Sequence, residues 1–272
     1  MKGVAIYPYK AGSASARNLS QAMGVKRIKH EGSKFVPNGD KIVINWGASE
    51  LPMALDGPPT APRILNMPQF VRVASNKLHF YDLMNQGLVA SCRMPISFRT
   101  KQEADLYRRE ANSCAMMART VLTGHSGRGI IYCEPEQELP DAQMYVRYVK
   151  KISEFRLHFV ASNDTPFIQR KARRNDVDKE DVNWKVRNLE GGFIYANDPE
   201  NVGEIPEDVI VQGTRAFKQS RLGFGAVDVI FNKKEGKAYV LEINTAPGLV
   251  NSTVEWYAKE LTRYVELIRK HQ

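Results

Sequence analysis

The stretch GAVDVIFNKKEGKAYVLEINTAPGL, Gly225 to Leu249, constrains the fold more than any other part of this chain. Two runs of strand-forming residues flank a charged turn that carries a glycine, the pattern of an antiparallel hairpin. With Lys234-Glu235-Gly236 as a three-residue loop, Lys233 faces Lys237, Phe231 faces Tyr239, Val229 faces Leu241 and Val227 faces Ile243. The large apolar side chains of those pairs then share one sheet face. On the other face Asp228 lies across from Glu242, with Asn244 two positions further on, among Ala226, Ile230 and Val240. Two carboxylates facing each other across a ladder repel, and apolar neighbours screen that repulsion poorly, so a bound cation resolves it. A second face that is simply wet is the alternative. Oxygen donors without sulfur or imidazole suit magnesium, which keeps part of its water shell and shares the rest with phosphate oxygens.

The rest of the composition fits a protein able to build such a site. The chain has 272 residues, 43% hydrophobic and 25% charged, enough apolar material for one large or two modest domains of a soluble globular protein. A formal charge of +9 favours anionic partners: nucleotide, phosphate, acidic peptide or nucleic acid. Cys92, Cys114 and Cys133 form no CxxC pair, and the five histidines show no zinc-binding spacing. Reduced thiols, the absence of a signal-peptide pattern at MKGVAIYPYK and the lack of a long apolar span lead to the expectation of a cytoplasmic protein without a membrane anchor.

Along the chain, GVAIYPY, VKRIKH and KIVINWG read as strands around a helix in ASARNLSQAMG, a small parallel α/β unit. Its loops KAGSAS and NWGAS are either ligand-facing or plain turns. The proline-rich LDGPPTAPRILNMPQF, Leu55 to Phe70, marks a boundary. Beyond it, Ser75 is expected to cap a helix ending at Gly87, and Thr100 with Glu103 to form a capping box. Strand-like runs follow in RMPISF, CAMMARTVL, GIIYCE, MYVRYV, EFRLHFVAS and PFIQRKA. Pro206 starts a helix that runs to Arg221, and a second capping box at Ser252 and Glu255 opens a final amphipathic helix whose apolar stripe suits core packing. The expected division is 1–68, 69–146 and 147–272.

Between two strand runs lies Thr123-Gly124-His125-Ser126-Gly127-Arg128-Gly129. It is neither a Walker A loop nor GxGxxG. A glycine-rich strand-loop-strand can be an ordinary hairpin or a lid that lays backbone N–H groups over nucleotide phosphates.

Taken together, DVIF followed by VLEINTAPGL, with the glycine-rich loop ahead of them, resembles the ATP-grasp enzymes, in particular the RimK-like carboxylate–amine ligases. The likeness is strongest from about Ser75 to Leu249, and YPYK, GSAS and INWG are similar to phage-encoded proteins of that kind. The resemblance implies a mixed α/β and α+β architecture: a small N-terminal α/β domain, then two α+β subdomains clasping ATP with two magnesium ions, manganese being a possible substitute. It makes Asp228, Glu242 and Asn244 the metal ligands. Lys77 and Arg119 become phosphate contacts, although the family has a second lysine where Arg119 stands. Gly124, His125, Ser126, Gly127, Arg128 and Gly129 form the phosphate lid. From YVRYVKKISEFRLHF, Arg147, Tyr148 and Val149 face adenine, Glu154 binds the ribose, and Arg156 faces phosphate or an acyl intermediate; from VRNLEGG, Arg187 and Asn188 approach the reacting phosphoryl group.

That reading implies a small-molecule or peptide carboxylate activated by ATP and an amine acceptor, joined as an amide. Phosphotransfer to a hydroxyl is a second reading within the same fold. The basic run QRKARR, Gln169 to Arg174, is a solvated face, a receiver of an acidic acceptor, or a nucleic-acid contact, so that a non-catalytic nucleotide-binding protein or a nucleic-acid-binding protein is the alternative class. Against the last, aromatic content is ordinary at 9% and no RNA-binding aromatic motif is present.

Overall fold

The computed structural model describes residues 1–56, 61–86, 92–111, 113–123 and 127–271. The N-terminal part contains β1 (Val4–Pro8), α1 (Ala14–Ala22), β2 (Lys26–Arg27), β3 (Ile42–Trp46), α2 (Met53–Asp56) and β4 (Arg63–Leu65). Its strands pair in parallel in the order β2-β1-β3-β4. Every residue of β1 and β3 is buried, as continuous apolar strands covered on both faces must be. Ser13 caps α1 through its side chain, which accepts from the Ala16 N–H.

The middle part contains α3 (Pro68–Ser75), α4 (Lys77–Asn85), β5 (Ser97–Phe98), α5 (Lys101–Glu110), β6 (Met116–Arg119), β7 (Ile130–Cys133) and β8 (Met144–Arg147). Its strands form an antiparallel sheet, order β5-β8-β6-β7. The Thr100/Glu103 capping box is formed in full. Ser75, however, ends α3; the cap of α4 is Asn76, whose side chain accepts from the Leu78 and His79 N–H groups. An Asx side chain one residue later outcompetes the serine because it reaches two free donors at once. The expected stop at Gly87 lies outside the described residues.

The last part contains β9 (Ser153–Val160), β10 (Asn163–Arg173), β11 (Phe193–Ala196), α6 (Pro199–Val202), α7 (Glu207–Ser220), β12 (Phe224–Asn232), β13 (Lys237–Asn244) and α8 (Ser252–Lys270). Its antiparallel sheet has the order β11-β10-β9-β12-β13. One face of this sheet, with Phe155, Leu157, Val227 and Val229, packs on Val209, Ala216 and Phe217 of α7 and on Phe80, Tyr81 and Met84 of α4. The capping box expected at Ser252 is absent: Asn251 holds the cap position without a side-chain hydrogen bond, and Ser252 Oγ accepts instead from Asn197. The apolar stripe of α8 is buried as expected, with Tyr257, Leu261 and Val265 packed against Trp46, Leu19 and Phe224. The last helix therefore fastens the large sheet to the first one. A three-part division at 1–68, 69–146 and 147–272 is our proposal for the domains, with α8 crossing between the outer two.

The hairpin of β12 and β13 departs from the expected register in an instructive way. Its loop has four residues, because Asn232 pairs with Lys237. The Asn232 side chain closes the turn, accepting from the Glu235 N–H and donating to the Glu235 carboxylate, while Gly236 takes φ +63. Ile230 thus faces Tyr239 and Val229 faces Val240, one step away from the expected pairs. A bulge then inserts Leu241, restoring Asp228 opposite Glu242 and Val227 opposite Ile243. The expected six-residue apolar face is corrected accordingly: Val240 joins Val227, Val229 and Ile243 in the core, and Leu241 turns to the cleft with Glu242.

Candidate active site

The second face of the five-stranded sheet forms the floor of a cleft of ≈ 750 Å³. Strand alternation puts Glu154, Arg156 and His158 on this side while Phe155, Leu157 and Phe159 go to the core. Pairing carries the pattern sideways. Gln169 is opposite Arg156, Arg156 opposite Asp228, and Asp228 opposite Glu242, so four polar side chains cross four strands in one row.

Asp228 is buried and held by Arg156 in a two-pronged pair, Nε to Oδ1 at 2.7 Å and Nη2 to Oδ2 at 2.8 Å. The guanidinium also lies over the Tyr195 ring, 4.1 Å from its centroid. Asn244 donates to Asp228 Oδ2 at 3.3 Å. Glu242 meets Lys77 Nζ at 3.4 Å. Burial would raise the Glu242 carboxyl, but Lys77, Arg119, Arg156 and Lys171 together hold it below the usual carboxylate range. One row away, Glu154 is gripped by Lys151 at 2.7 Å and by Lys171. Burial opposes its charge, and the two ammonium groups override burial and hold it at about 2.

Beside the row, His158 is fully buried, 3.2 Å from Tyr257 Oη and 2.8 Å from the Gln169 amide. Burial lowers it to about 3, with Arg156 acting in the same direction, so the ring is neutral at pH 7 and serves as a structural link between α8 and the cleft floor.

The roof comes from the other sheets. Gly127 and Arg128, between β6 and β7, line the same cleft as Asp228 and Glu242. A Cβ on Gly127, which has φ +75, would stand 3.0 Å from Asn188 Nδ2, so the glycine hairpin lies directly against the segment carrying Asn188. Gly129 is outside the cleft lining; its φ of +73 and the bond from Thr120 N–H to its carbonyl make it a turn-closing residue. Gly124, His125 and Ser126 lie outside the described residues. Arg119 is buried, with an Nε that has no partner among the described residues.

Lys77, Arg119, Gly127, Arg128, Arg147, Tyr148, Val149, Glu154, Arg156, Arg187, Asn188, Asp228, Glu242 and Asn244 all line this one cleft. At Arg147–Val149 the backbone N–H groups are partly committed. The N–H groups of Arg147 and Tyr148 already donate to the Ile96 and Ala115 carbonyls, so neither can donate to a base, and the Arg147 side chain turns toward Glu235 at 3.8 Å. Arg187 is anchored by the Ile152 and Lys151 carbonyls.

The sequence reading missed Lys151, Lys171, Lys185 and Tyr195, which also line the cleft. Lys171 could have been found by alternation: in QRKARR it shares the face of Gln169, and that run is therefore divided between the cleft and an exposed end where Arg174 pairs with Asp176. Tyr195 carries no comparable signal, since only the pairing of β11 with β10 sets it beside Lys171. Of the two N-terminal loops, KAGSAS lines the cleft through Lys10, Gly12, Ser13 and Ser15. NWGAS does not; a Cβ on Gly47 would stand 2.5 Å from the Ala246 Cβ, which makes it a packing turn.

Asp228, Glu242 and Asn244 share one stretch of the cleft floor, and their side-chain oxygens are the donor type that a hard divalent cation takes, with Arg156, Lys77 and the Asn244 amide nitrogen now facing the two carboxylates. Among the described residues no three His, Cys, Asp or Glu side chains cluster, so such an ion would draw the rest of its shell from phosphate and water, as magnesium does.

This architecture is the ATP-grasp fold. ATP-grasp ligase PsnB, in complex with minimal precursor, Mg and ADP, superposes with a TM-score of 0.63 at 12% identity, covering 96% of each chain. D-alanine–D-alanine ligase from Bacillus anthracis complexed with ATP gives 0.60 at 13% identity, with 98% of each chain covered. Macrocyclase MdnC bound with precursor peptide MdnA, from Microcystis aeruginosa MRC, gives 0.60 at 13% identity over 96% of this chain and 99% of that one. No family model and no curated protein matches the sequence. Among the described residues no helix is long and apolar enough to cross a membrane.

Proposed function

We propose that this protein is an ATP-dependent carboxylate–amine ligase that works through an acylphosphate and releases ADP and phosphate. The observation that carries the reading is the row Gln169-Arg156-Asp228-Glu242 lining a single cationic cleft together with Gly127 and Arg128. The nucleotide and magnesium bound by the neighbours, and the amide-forming chemistry in the name of one of them, support it. Assignment to the RimK-like branch, and the likeness to phage-encoded members, rest on the motif spellings alone.

In this reading Val149 and the Arg147 and Tyr148 carbonyls border the adenine, and Glu154, kept ionised by Lys151 and Lys171, accepts from the ribose hydroxyls. Lys77, Arg119 and Arg128 hold phosphate oxygens beneath the glycine turn. Asp228, Glu242 and Asn244 hold magnesium, which when bound neutralises charge on the triphosphate. Arg156 and Lys77 cancel the carboxylate charges until that ion arrives, which keeps two acids stable side by side. A substrate carboxylate then attacks the γ-phosphorus, the bond from that phosphorus to the β,γ-bridging oxygen breaks, and ADP leaves. An amine attacks the acyl carbon, phosphate departs, and the amine loses a proton. No enzyme nucleophile is needed: Arg187 and Asn188 orient the phosphoryl group, and catalysis rests on position and charge.

The test is magnesium-dependent thermal stabilisation by ADP, followed by incubation with ATP, magnesium and pooled amino acids or peptides, read by mass spectrometry. A new amide product together with free phosphate is expected. A phosphorylated acceptor in place of free phosphate would assign a phosphotransferase instead.

A further inference from the structure

Gln169 lines the cleft floor directly across from Arg156, two positions from Lys171 on the same strand face, and is only 5% exposed. One end of its carboxamide meets His158. The hydrogen bonds behind that contact determine which end faces the cleft. They begin at Tyr257 of α8, whose Oη lies 2.9 Å from the Gly225 carbonyl oxygen. Two oxygens at that separation need a hydrogen between them, and a carbonyl has none, so the tyrosine donates. Its single proton is then committed. His158 Nδ1, 3.2 Å from the same Oη, must therefore be the donor in that second contact. The ring is neutral, because burial and Arg156 both oppose its charge. A proton on Nδ1 thus leaves the other ring nitrogen with a bare lone pair.

That bare nitrogen lies 2.8 Å from the Gln169 carboxamide. An Oε1 there sets two lone pairs against each other. The two ends of a carboxamide have the same shape, and turning it over replaces the repulsion with an N–H bond to the ring. Oε1 then faces the cleft, where Arg156 and Lys171 favour the negative end of the amide dipole. Neither of them donates to it: Arg156 is engaged with Asp228, and Lys171 with Glu154 and the Arg187 carbonyl. The outcome is a neutral acceptor oxygen without a partner among the described residues, set among cations beside the residue that holds Asp228. Phosphate and carboxylate oxygens have no hydrogen to offer it at neutral pH, whereas an amine does. The same cations disfavour an ammonium ion and keep an incoming amine in the form that has a lone pair to attack with.

We propose that Gln169 Oε1 receives the attacking amine, and that His158 and Tyr257 are positioning residues that keep this oxygen turned to the cleft. This rests on the ligase reading and assigns a residue to its second step. Gln169 accepts one N–H of the amine, whose lone pair forms the C–N bond at the acyl carbon. The bond from that carbon to the phosphate oxygen breaks, and the surplus proton leaves on the phosphate, a neutral amide oxygen being too weak a base to take it. Where the amine is not held, water attacks the acylphosphate instead, and ADP and phosphate appear without an amide.

Two measurements test this. The tautomer of His158 is read by NMR from the nitrogen shifts of the labelled protein: a ring protonated on Nδ1 alone is expected, and one protonated on Nε2, or on both nitrogens at neutral pH, overturns the proposal. Tyr257→Phe removes the hydroxyl that fixes the tautomer, keeps the ring that packs on Trp46, and should move the proton to Nε2. The second measurement is amide formed per ADP released, with ATP, magnesium and the pooled amino acids and peptides. Gln169→Leu should lower that ratio about tenfold, the effect of one lost hydrogen bond, and Tyr257→Phe, outside the cleft lining, about threefold. Ratios equal to the parent's overturn the proposal, as does a loss of ADP release and amide in equal proportion, which would assign these residues to folding or ATP binding. A parent that forms no amide removes the ligase reading and this role with it, whichever tautomer is found.

Discussion

The two faces of the β11-β10-β9-β12-β13 sheet are made by the same strands and could hardly differ more. Residues 155, 157, 227 and 229 are apolar, buried and packed on α4 and α7. Their immediate neighbours 154, 156 and 228 are charged, and they too are largely buried, but among partners of opposite sign. One face contributes stability through area removed from water. The other maintains ionised groups at a cost in desolvation that only close pairing offsets, which is the usual condition of a site awaiting a charged ligand.

If that contrast is right, substitutions on the two faces must separate chemistry from stability. The largest effect belongs to Glu242→Gln, which should lower ATP-dependent phosphate release about a thousandfold, equivalent to ~4 kcal/mol, with the melting temperature nearly unchanged. A fully active variant would remove the metal assignment. Leu157→Ala, on the opposite face, should cost about 3 kcal/mol in urea unfolding while phosphate release per folded molecule stays the same. Loss of activity at full stability would break the comparison from the other side.

Next in size is the pH dependence of folding. His158 falls from 6.5 to about 3 on folding, so between those values the unfolded chain binds the extra proton. Stability should therefore be flat above about pH 6.5 and drop on the order of 2 kcal/mol on going to pH 5. Glu154, lowered from 4.5 to about 2, adds a further loss only as pH falls below 4.5. Urea titrations of the parent and His158→Gln across pH 5 to 7.5 check this; the variant should show a flatter profile in that window. The smallest effect is expected of Gly127→Ala. Its φ of +75 and the 3.0 Å approach to Asn188 should cost about 1 kcal/mol and raise KM for ATP more than they change kcat.

Much of this was legible beforehand where a local rule suffices. The Thr100/Glu103 box, the α7 span and the apolar stripe of α8 follow from spacing within a single helix. The pairing of Asp228 with Glu242 was also foreseen, although the route differed: a longer loop shifted the register and the bulge at Leu241 shifted it back. Two compensating one-residue steps leave no trace in a hydrophobic pattern of period two. The Asn76 cap was misplaced by one residue for a related reason, because α3 runs into α4 without a loop to mark the boundary.

The sequence alone determined which residue types alternate along β9, β12 and β13, and hence that one side of a hairpin must carry acids, since strand geometry sends neighbours to opposite faces. Only the tertiary structure decided what meets those acids. Arg156 reaches Asp228 because β9 inserts between β10 and β12; Lys77 reaches Glu242 from a helix far away in the chain; and Lys171 reaches Glu154 across the β9–β10 pair. Those partnerships depend on strand order and on helix packing between distant segments, and no periodicity in a linear chain encodes either.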